Sequence, residues 1–217
     1  MSLQDQISQK INNIGEIQSL SILTVIDNDF IDRNLETCWG LSFYIEINKN
    51  PDKSILMDCS GSLYDFSQNV SKLNLDLTKL KAIHISHWHS DHCGCLNYIL
   101  SSILKSSILY VPTGNNQVCK EIQTRGFNIF ALEKPKKLFD GVFSTGTLKG
   151  GIPEQSLIFN IKGKGLVIIL GCAHPGIISI IEQSKLISGI STVYGIVGGF
   201  HINNRSQTEE LIKYLKK

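Results

Sequence analysis

His87-Trp88-His89-Ser90-Asp91-His92 is the stretch on which the reading of this chain turns. It follows a short β-branched run, Ala82-Ile83-His84-Ile85-Ser86, and precedes an apolar helical pattern from Leu96 to Leu104. Four of the six histidines fall between residues 84 and 92. Side chains alternate along an extended strand, so His87 and His89 point to the same side at the strand end. A tight turn then brings in Asp91 and His92 beside them. Two imidazoles suit one zinc or similar transition ion, and a carboxylate with a further imidazole suits a second. So dense a set still needs ligands from elsewhere to complete two coordination shells. His84 lies inside the strand and is expected as a core or supporting residue.

Two more histidines stand in comparable places. His174 follows the apolar run Gly165-Leu166-Val167-Ile168-Ile169-Leu170, and His201 follows Val193-Tyr194-Gly195-Ile196-Val197. Both sit in glycine-bearing loops directly after a strand pattern, and strand ends are where layered sheet folds build their sites. All three histidine loops can therefore converge at one edge of the sheets.

Around these loops the chain alternates strand and helix signals. Strands are predicted at Ile22–Ile26, Leu41–Ile47, Ile55–Met57, Ala82–Ser86, Ile108–Val111, Phe127–Ala131 and Leu138–Phe143. Ser156–Ile161 and Gly165–Leu170 read as a hairpin across a lysine-glycine turn, and Thr192–Val197 as a last strand. Helical spacing appears within residues 62–80, at Leu96–Leu104, at Cys119–Arg125 and at Ile177–Ile187. A final helix starts at Ser206, with Glu209 three residues on as a capping box. Strands with helices interspersed in both halves indicate sheets covered by helices, α/β or α+β. No linker divides the 217 residues, so one domain spanning residues 1–217 is expected.

Composition removes several function classes. Twenty-one basic residues face 19 acidic ones, and only Arg33, Arg125 and Arg205 are arginines. Such a balance argues against a large phosphate-backbone interface, so nucleic acid is not the expected partner. The N-terminal MSLQDQISQK lacks the apolar core of a signal peptide, and the longest apolar runs are far too short to cross a bilayer. Six cysteines without a CxxC pair read as reduced thiols, and a cytoplasmic location follows. No GxSxG occurs, which leaves a serine hydrolase without support.

At the level of motifs the chain resembles the metallo-β-lactamase-fold superfamily, whose HxHxDH hallmark is matched at His87, His89, Asp91 and His92. Within it the sequence looks most like the dihydropterin-methyl-ribofuranosylaminobenzene-phosphate synthase-like branch. That likeness rests on Val25-Ile26-Asp27-Asn28-Asp29, Gly40-Leu41-Ser42, Asp58 to Gly61, Glu154-Gln155-Ser156-Leu157, Gly171-Cys172-Ala173-His174-Pro175-Gly176 and Gly198-Gly199-Phe200-His201. The resemblance implies an α+β four-layer αββα sandwich with two divalent metal ions on one edge: zinc first, manganese or iron as alternatives. It implies His87, His89 and His174 as ligands of one ion, and Asp91, His92 and His201 as ligands of the other. Asp91 would also be the catalytic carboxylate. The superfamily's additional histidine before the penultimate strand has no clear match, and Cys172 occupies the place of a bridging aspartate. It reads either as a bridging or supporting thiolate or as a buried structural thiol.

The expected function is a metal-dependent hydrolase that turns a metal-bound hydroxide on a small-molecule ester or phosphoester. A pterin-pathway synthase or transferase and a diiron redox protein are the alternatives. Around the site, Asn28, Asp29, Asp58 and Ser60 read as turn caps or as supports for the histidines, with Asp58 foremost. Thr145-Gly146-Thr147, with Lys149 nearby, is a candidate phosphate cradle, and Trp39 is expected at the mouth. Cys93 and Cys95 are expected in the first turn of the helix that follows the motif, one of them facing the core, with soft ligation as the other reading.

Overall fold

The computed structural model describes residues 10–29, 32–202 and 204–216. Nearly all of the N-terminal segment read for a signal peptide lies outside the described residues. The chain forms two compact units: Ile17–Leu132, and Glu133 to the C-terminus together with the residues up to Glu16.

The first unit carries a six-stranded sheet in sequence order. Its strands are β1 (Leu20–Ile26), β2 (Ser42–Ile47), β3 (Asn50–Met57), β4 (Leu80–His84), β5 (Ile108–Val111) and β6 (Asn128–Ala131). β1, β2 and β3 pair antiparallel, while β3 to β6 run parallel. Parallel neighbours need crossovers, and helices supply them. These are α1 (Leu63–Lys72), the short α2 (Ser90–Cys93), α3 (Leu96–Ser102) and α4 (Asn116–Thr124). α1 starts where Ser62 accepts the Asp65 N–H, an N-cap. One face of α1 buries Phe66 and Val70 in a core with Leu56, Ile83, Ile85, Ile99 and Leu109. Each such side chain contributes roughly 1.5–3 kcal/mol on burial.

The second unit carries a five-stranded sheet ordered β11-β10-β9-β8-β7. Its elements are β7 (Lys136–Phe139), β8 (Val142–Ser144), β9 (Leu157–Ile161), β10 (Gly165–Leu170), α5 (Ile177–Ser188), β11 (Val193–Gly198) and α6 (Arg205–Leu215). β7 to β10 are antiparallel, and the β9–β10 hairpin is the one expected. β10 and β11 run parallel, joined by α5, so their C-terminal ends lie side by side with Leu170 opposite Gly198. α5 and α6 bury Ile177, Ile180, Ile181, Ile187 and Leu211 against Phe143, Ile158, Ile168 and Leu170.

Two details differ from the sequence reading. The single strand expected at Leu138–Phe143 is a hairpin, β7 to β8, turning at Asp140-Gly141 with Gly141 at φ 69°. An Asp-Gly pair is a strong two-residue turn signal, and it outweighs the apolar residues on either side. The last helix is capped by Asn204, which accepts from the Gln207 N–H; Glu209 instead pairs with Arg205 at 2.7 Å. Among the described residues no helix is long and apolar enough to cross a membrane.

Candidate metal centre

In the first unit the site grows from the C-terminal ends of parallel β3 and β4. Asp58 follows β3 and is fully buried. Its Oδ1 accepts the Ser86 backbone N–H at 2.7 Å, and its Oδ2 accepts the Ser86 hydroxyl at 2.6 Å. The same Oδ2 lies 2.7 Å from His92 Nδ1. Burial alone would raise the Asp58 pKa. The His92 imidazole and the hydrogen bonds from His92 and Ser86 outweigh burial and hold the carboxyl below its ordinary value.

This arrangement sets two imidazole tautomers. The Ser86 hydroxyl spends its proton on Asp58, so its oxygen accepts from His87 Nδ1, 2.9 Å away. His87 Nε2 then carries a lone pair. His92 donates Nδ1–H to Asp58 in the same way and presents Nε2 toward Asp91, whose Oδ2 is 3.6 Å off. A buried carboxylate behind a histidine is the usual support for a metal ligand. His87 Nε2 and His89 Nδ1 stand 3.2 Å apart, and the His87 and His92 rings lie 4.1 Å apart. Two nitrogens, each about 2.0–2.1 Å from a tetrahedral ion, are separated by about 3.3 Å. The His87–His89 spacing fits one ion.

The backbone around Asp91 is closely packed. The Leu41 N–H bonds the Asp91 carbonyl at 3.3 Å, and a side chain on Gly40 would begin only 2.3 Å from that oxygen. Glycine is therefore required there. The neighbouring Trp39 is 75% exposed. Asn28 accepts the Gly40 N–H at 2.9 Å, and both Asn28 and Asp29 donate backbone N–H groups to Asp27. These two residues therefore shape the turn. Ser60 approaches Cys38 Sγ at 3.2 Å. Cys93 ends α2, and Cys95 caps α3 with its thiol in the core. Burial, with Asp58 and Asp91, pushes the Cys93 thiol up to about 11; burial, with Cys38 and Asp65, does the same for Cys95. Both are neutral thiols at ordinary pH in the metal-free chain. His84 is fully buried in β4, where burial, opposed by Asp58, lowers its pKa to about 4.

In the second unit the two histidine loops leave adjacent parallel strands. The Gly199 N–H bonds the Gly171 carbonyl at 3.0 Å, and a side chain on Gly198 would begin 2.1 Å from the Leu170 oxygen. The loops thus run backbone against backbone. His174 and His201 face one another with ring centroids 4.7 Å apart. Ligand atoms of Cys172, His174 and His201 all lie within 4.8 Å of one another. Cys172 is only partly buried and keeps company with two imidazoles.

The residue that sequence reasoning missed is Glu154. Its side chain is fully buried, and it accepts four consecutive backbone N–H groups. Oε1 takes Gly171, Cys172 and Ala173 at 3.1, 3.0 and 3.0 Å, and Oε2 takes His174 at 2.9 Å. Successive N–H groups wrapped on one anion form a nest. Ala173 adopts φ 59° to close it. A signal was present: a glutamate beside the apolar Leu157–Ile161 run must be paired if it is buried. The candidate phosphate cradle is otherwise engaged. Thr145 is buried, its hydroxyl donates to the Gly146 carbonyl and accepts the Ser156 N–H, and the Gly146 N–H bonds Ser144.

Comparison with known proteins finds sequences and folds similar to this chain. A family model described as the anti-Pycsar protein Apyc1 matches residues 45–107. The chain is 27% identical to the 7,8-dihydropterin-6-methyl-4-(β-D-ribofuranosyl)-aminobenzene-5′-phosphate synthase of Methanocaldococcus jannaschii, over 94% of this chain and 86% of that protein. Among solved structures it is similar to the metallo-β-lactamase fold protein YhfI of Bacillus subtilis, with TM-score 0.50 and 12% identity over 70% of this chain and 62% of that one. An N-acyl homoserine lactone hydrolase, with N-hexanoyl-L-homoserine bound at its catalytic metal centre, aligns with TM-score 0.53 and 14% identity over 90% and 96%.

Proposed function

We propose that this chain, which has the metallo-β-lactamase fold, is a metal-dependent hydrolase of a small-molecule ester or phosphoester. In this reading the two units act as one catalytic domain, and their histidine loops share a two-ion site. The observation that carries it is the tautomer lock: Asp58, directly and through Ser86, bares Nε2 of both His92 and His87. A buried carboxylate spent in this way makes sense when those nitrogens are ligands. His87, His89 and His174 would hold one ion, and Asp91, His92 and His201 the second, with Cys172 close to the latter sets. Divalent ions bound there, zinc first and manganese or iron as alternatives, would supply Lewis-acid polarisation and an activated water near neutral pH.

The work of the chain is orientation and proton placement. Asp58 keeps the His92 proton on Nδ1. Asp91 would offer one carboxylate oxygen to an ion and orient the attacking water through the other. Glu154 fixes the main chain from which Cys172 and His174 project. The catalytic metal centre of the lactone hydrolase supports a hydrolytic reading. Six free thiols suit a reducing, cytoplasmic setting, which belongs to the same reading.

Metal removal tests this directly. Chelated protein should lose turnover against a panel of lactones, thioesters, phosphomonoesters and phosphodiesters, and recover it on addition of zinc or manganese. His89→Ala should remain folded and inactive. Full turnover by rigorously metal-free protein would sink the proposal. A pterin-pathway synthase is the second reading, favoured by the 27% identical relative. Saturable binding of a reduced pterin, with no hydrolysis anywhere in the panel, would select it.

A further inference from the structure

Beside the two histidine loops of the second unit lies a cavity of about 370 Å³, between the start of α5 and the side of α6. Its size falls toward the lower end for small-molecule pockets, which span about 300–1,000 Å³. His174 and His201 line one part of it. Ile177, Ile178, Phe200, Ile202 and Leu211 supply an apolar wall. The other polar side chains are those of Ser179, Gln207 and Glu210, and neither lysine nor arginine is among the lining residues. Glu210 makes no ion pair among the described residues.

The make-up of the wall restricts what fits. Away from the two histidines that would hold ions, an anionic group would meet neither lysine nor arginine on the wall, and it would approach the Glu210 carboxylate. Charge that gives up water without gaining a partner is disfavoured, and a like charge adds to the penalty. An uncharged apolar group loses nothing polar and covers five hydrophobic side chains. Gln207 and Glu210 can meanwhile accept a hydrogen bond from a hydroxyl or amide on it. We propose that this cavity binds the non-reacting arm of the substrate, and that this arm is a neutral acyl or aryl group, not a phosphate-bearing one. The inference rests on the hydrolase reading for its reacting centre, since His174 and His201 are shared between cavity and site. It goes further by assigning the chemistry of the rest of the molecule.

The test uses the full chain without metal, so that binding is read apart from turnover. Benzyl alcohol and phenyl phosphate share a ring and differ in charge. Their binding would be followed by ligand-observed NMR. Benzyl alcohol should bind, and phenyl phosphate should bind at least about tenfold more weakly. Glu210→Lys, on an exposed position of α6, should bring the two to within about twofold. Ile178→Trp should fill the cavity and abolish benzyl alcohol binding, with the fold checked by circular dichroism. Equal binding of both probes, or an unchanged ratio in Glu210→Lys, would overturn the assignment. So would benzyl alcohol binding that survives in a folded Ile178→Trp protein. Should Ile178→Trp fail to fold, Glu210→Lys still decides. If this pattern holds while the metal-loaded chain hydrolyses nothing, the hydrolase reading fails and the cavity assignment stands; turnover with the wrong binding pattern gives the reverse.

Discussion

Asp58 and Glu154 are both fully buried carboxylates beneath histidine-bearing loops, but they hold different parts of those loops. Asp58 touches a ring and a hydroxyl, and it decides which imidazole nitrogen carries a proton. Glu154 accepts four backbone N–H groups in succession and decides the path of the chain. One carboxylate sets chemistry and the other sets position. The difference follows from what precedes each histidine. The first loop leaves β4 and turns at once into α2, whose helical bonds already fix its backbone; His92, for example, donates to the His89 carbonyl. The loop at residues 171–174 has no such helix, and Glu154 supplies the acceptors that a helix would have.

The comparison makes Glu154→Ala the most damaging single change. Four backbone donors, two of them buried, would lose their acceptor, and removing one partner from a buried charged network costs about 3–5 kcal/mol. Urea unfolding should show that loss. Glu154→Gln keeps one carbonyl acceptor and should cost distinctly less. A loss in Glu154→Ala no larger than that of an ordinary surface change would mean that the loop holds its own shape.

Acid should separate the two halves next. The Asp58 side contains a second buried titratable group, His84, with a pKa near 4 against an ordinary 6.5. It folds neutral, so between those values the unfolded chain binds the extra proton, and stability falls as pH falls. The full effect approaches about 3 kcal/mol. Asp58, held below its ordinary value, adds a loss only in stronger acid, below about pH 4. Metal-free His84→Gln should therefore flatten the unfolding free energy between pH 6.5 and 4 and leave the steeper loss below that range. An unchanged slope in the variant would place the acid sensitivity elsewhere.

These two carboxylates also mark how far the sequence could be read. The alternating elements led to helix-covered sheets and the strand-end histidines to a metal site, because side-chain type and spacing carry that information; the metallo-β-lactamase fold came from the resemblance carried by HxHxDH and the further motifs. Asp58 was legible as a polar residue ending a strand beside the motif. Glu154 carried only the signal of a carboxylate beside an apolar run; that it supports the loop was not legible, since the four groups it holds there are main-chain N–H groups that no residue pattern records. The Asp140-Gly141 hairpin and the Asn204 cap were missed for a different reason. In each case a nearby plausible signal, an apolar run or Ser206 with Glu209, competed with a better local turn former.

Asp58→Asn sharpens the division of labour. The amide nearly preserves volume but replaces an acceptor oxygen with a donor, so His92 or Ser86 loses its partner. Supports of this kind are worth about 10–100-fold in metal affinity. Zinc titration should show that drop with the fold retained, whereas Glu154→Gln should disturb stability more than the first-unit ligands. Equal metal affinity in Asp58→Asn and the unaltered chain would leave Asp58 a purely structural residue.

The smallest effect is expected from Ser86→Ala, and it is the most discriminating. The change leaves Asp58 bonded to His92 and to the Ser86 backbone N–H, so the loss in stability should be about 1 kcal/mol. What disappears is the relay that keeps the His87 proton on Nδ1. Without it the ring can take either tautomer, and part of the population carries its proton on the nitrogen that faces His89. Metal affinity should fall by a few-fold, and nitrogen-15 NMR of the metal-free protein should show His87 as a tautomer mixture while His92 stays Nδ1-protonated. A His87 that keeps one tautomer after loss of the hydroxyl would show that its ring is set by packing, and the two carboxylates would then differ less than their hydrogen bonds suggest.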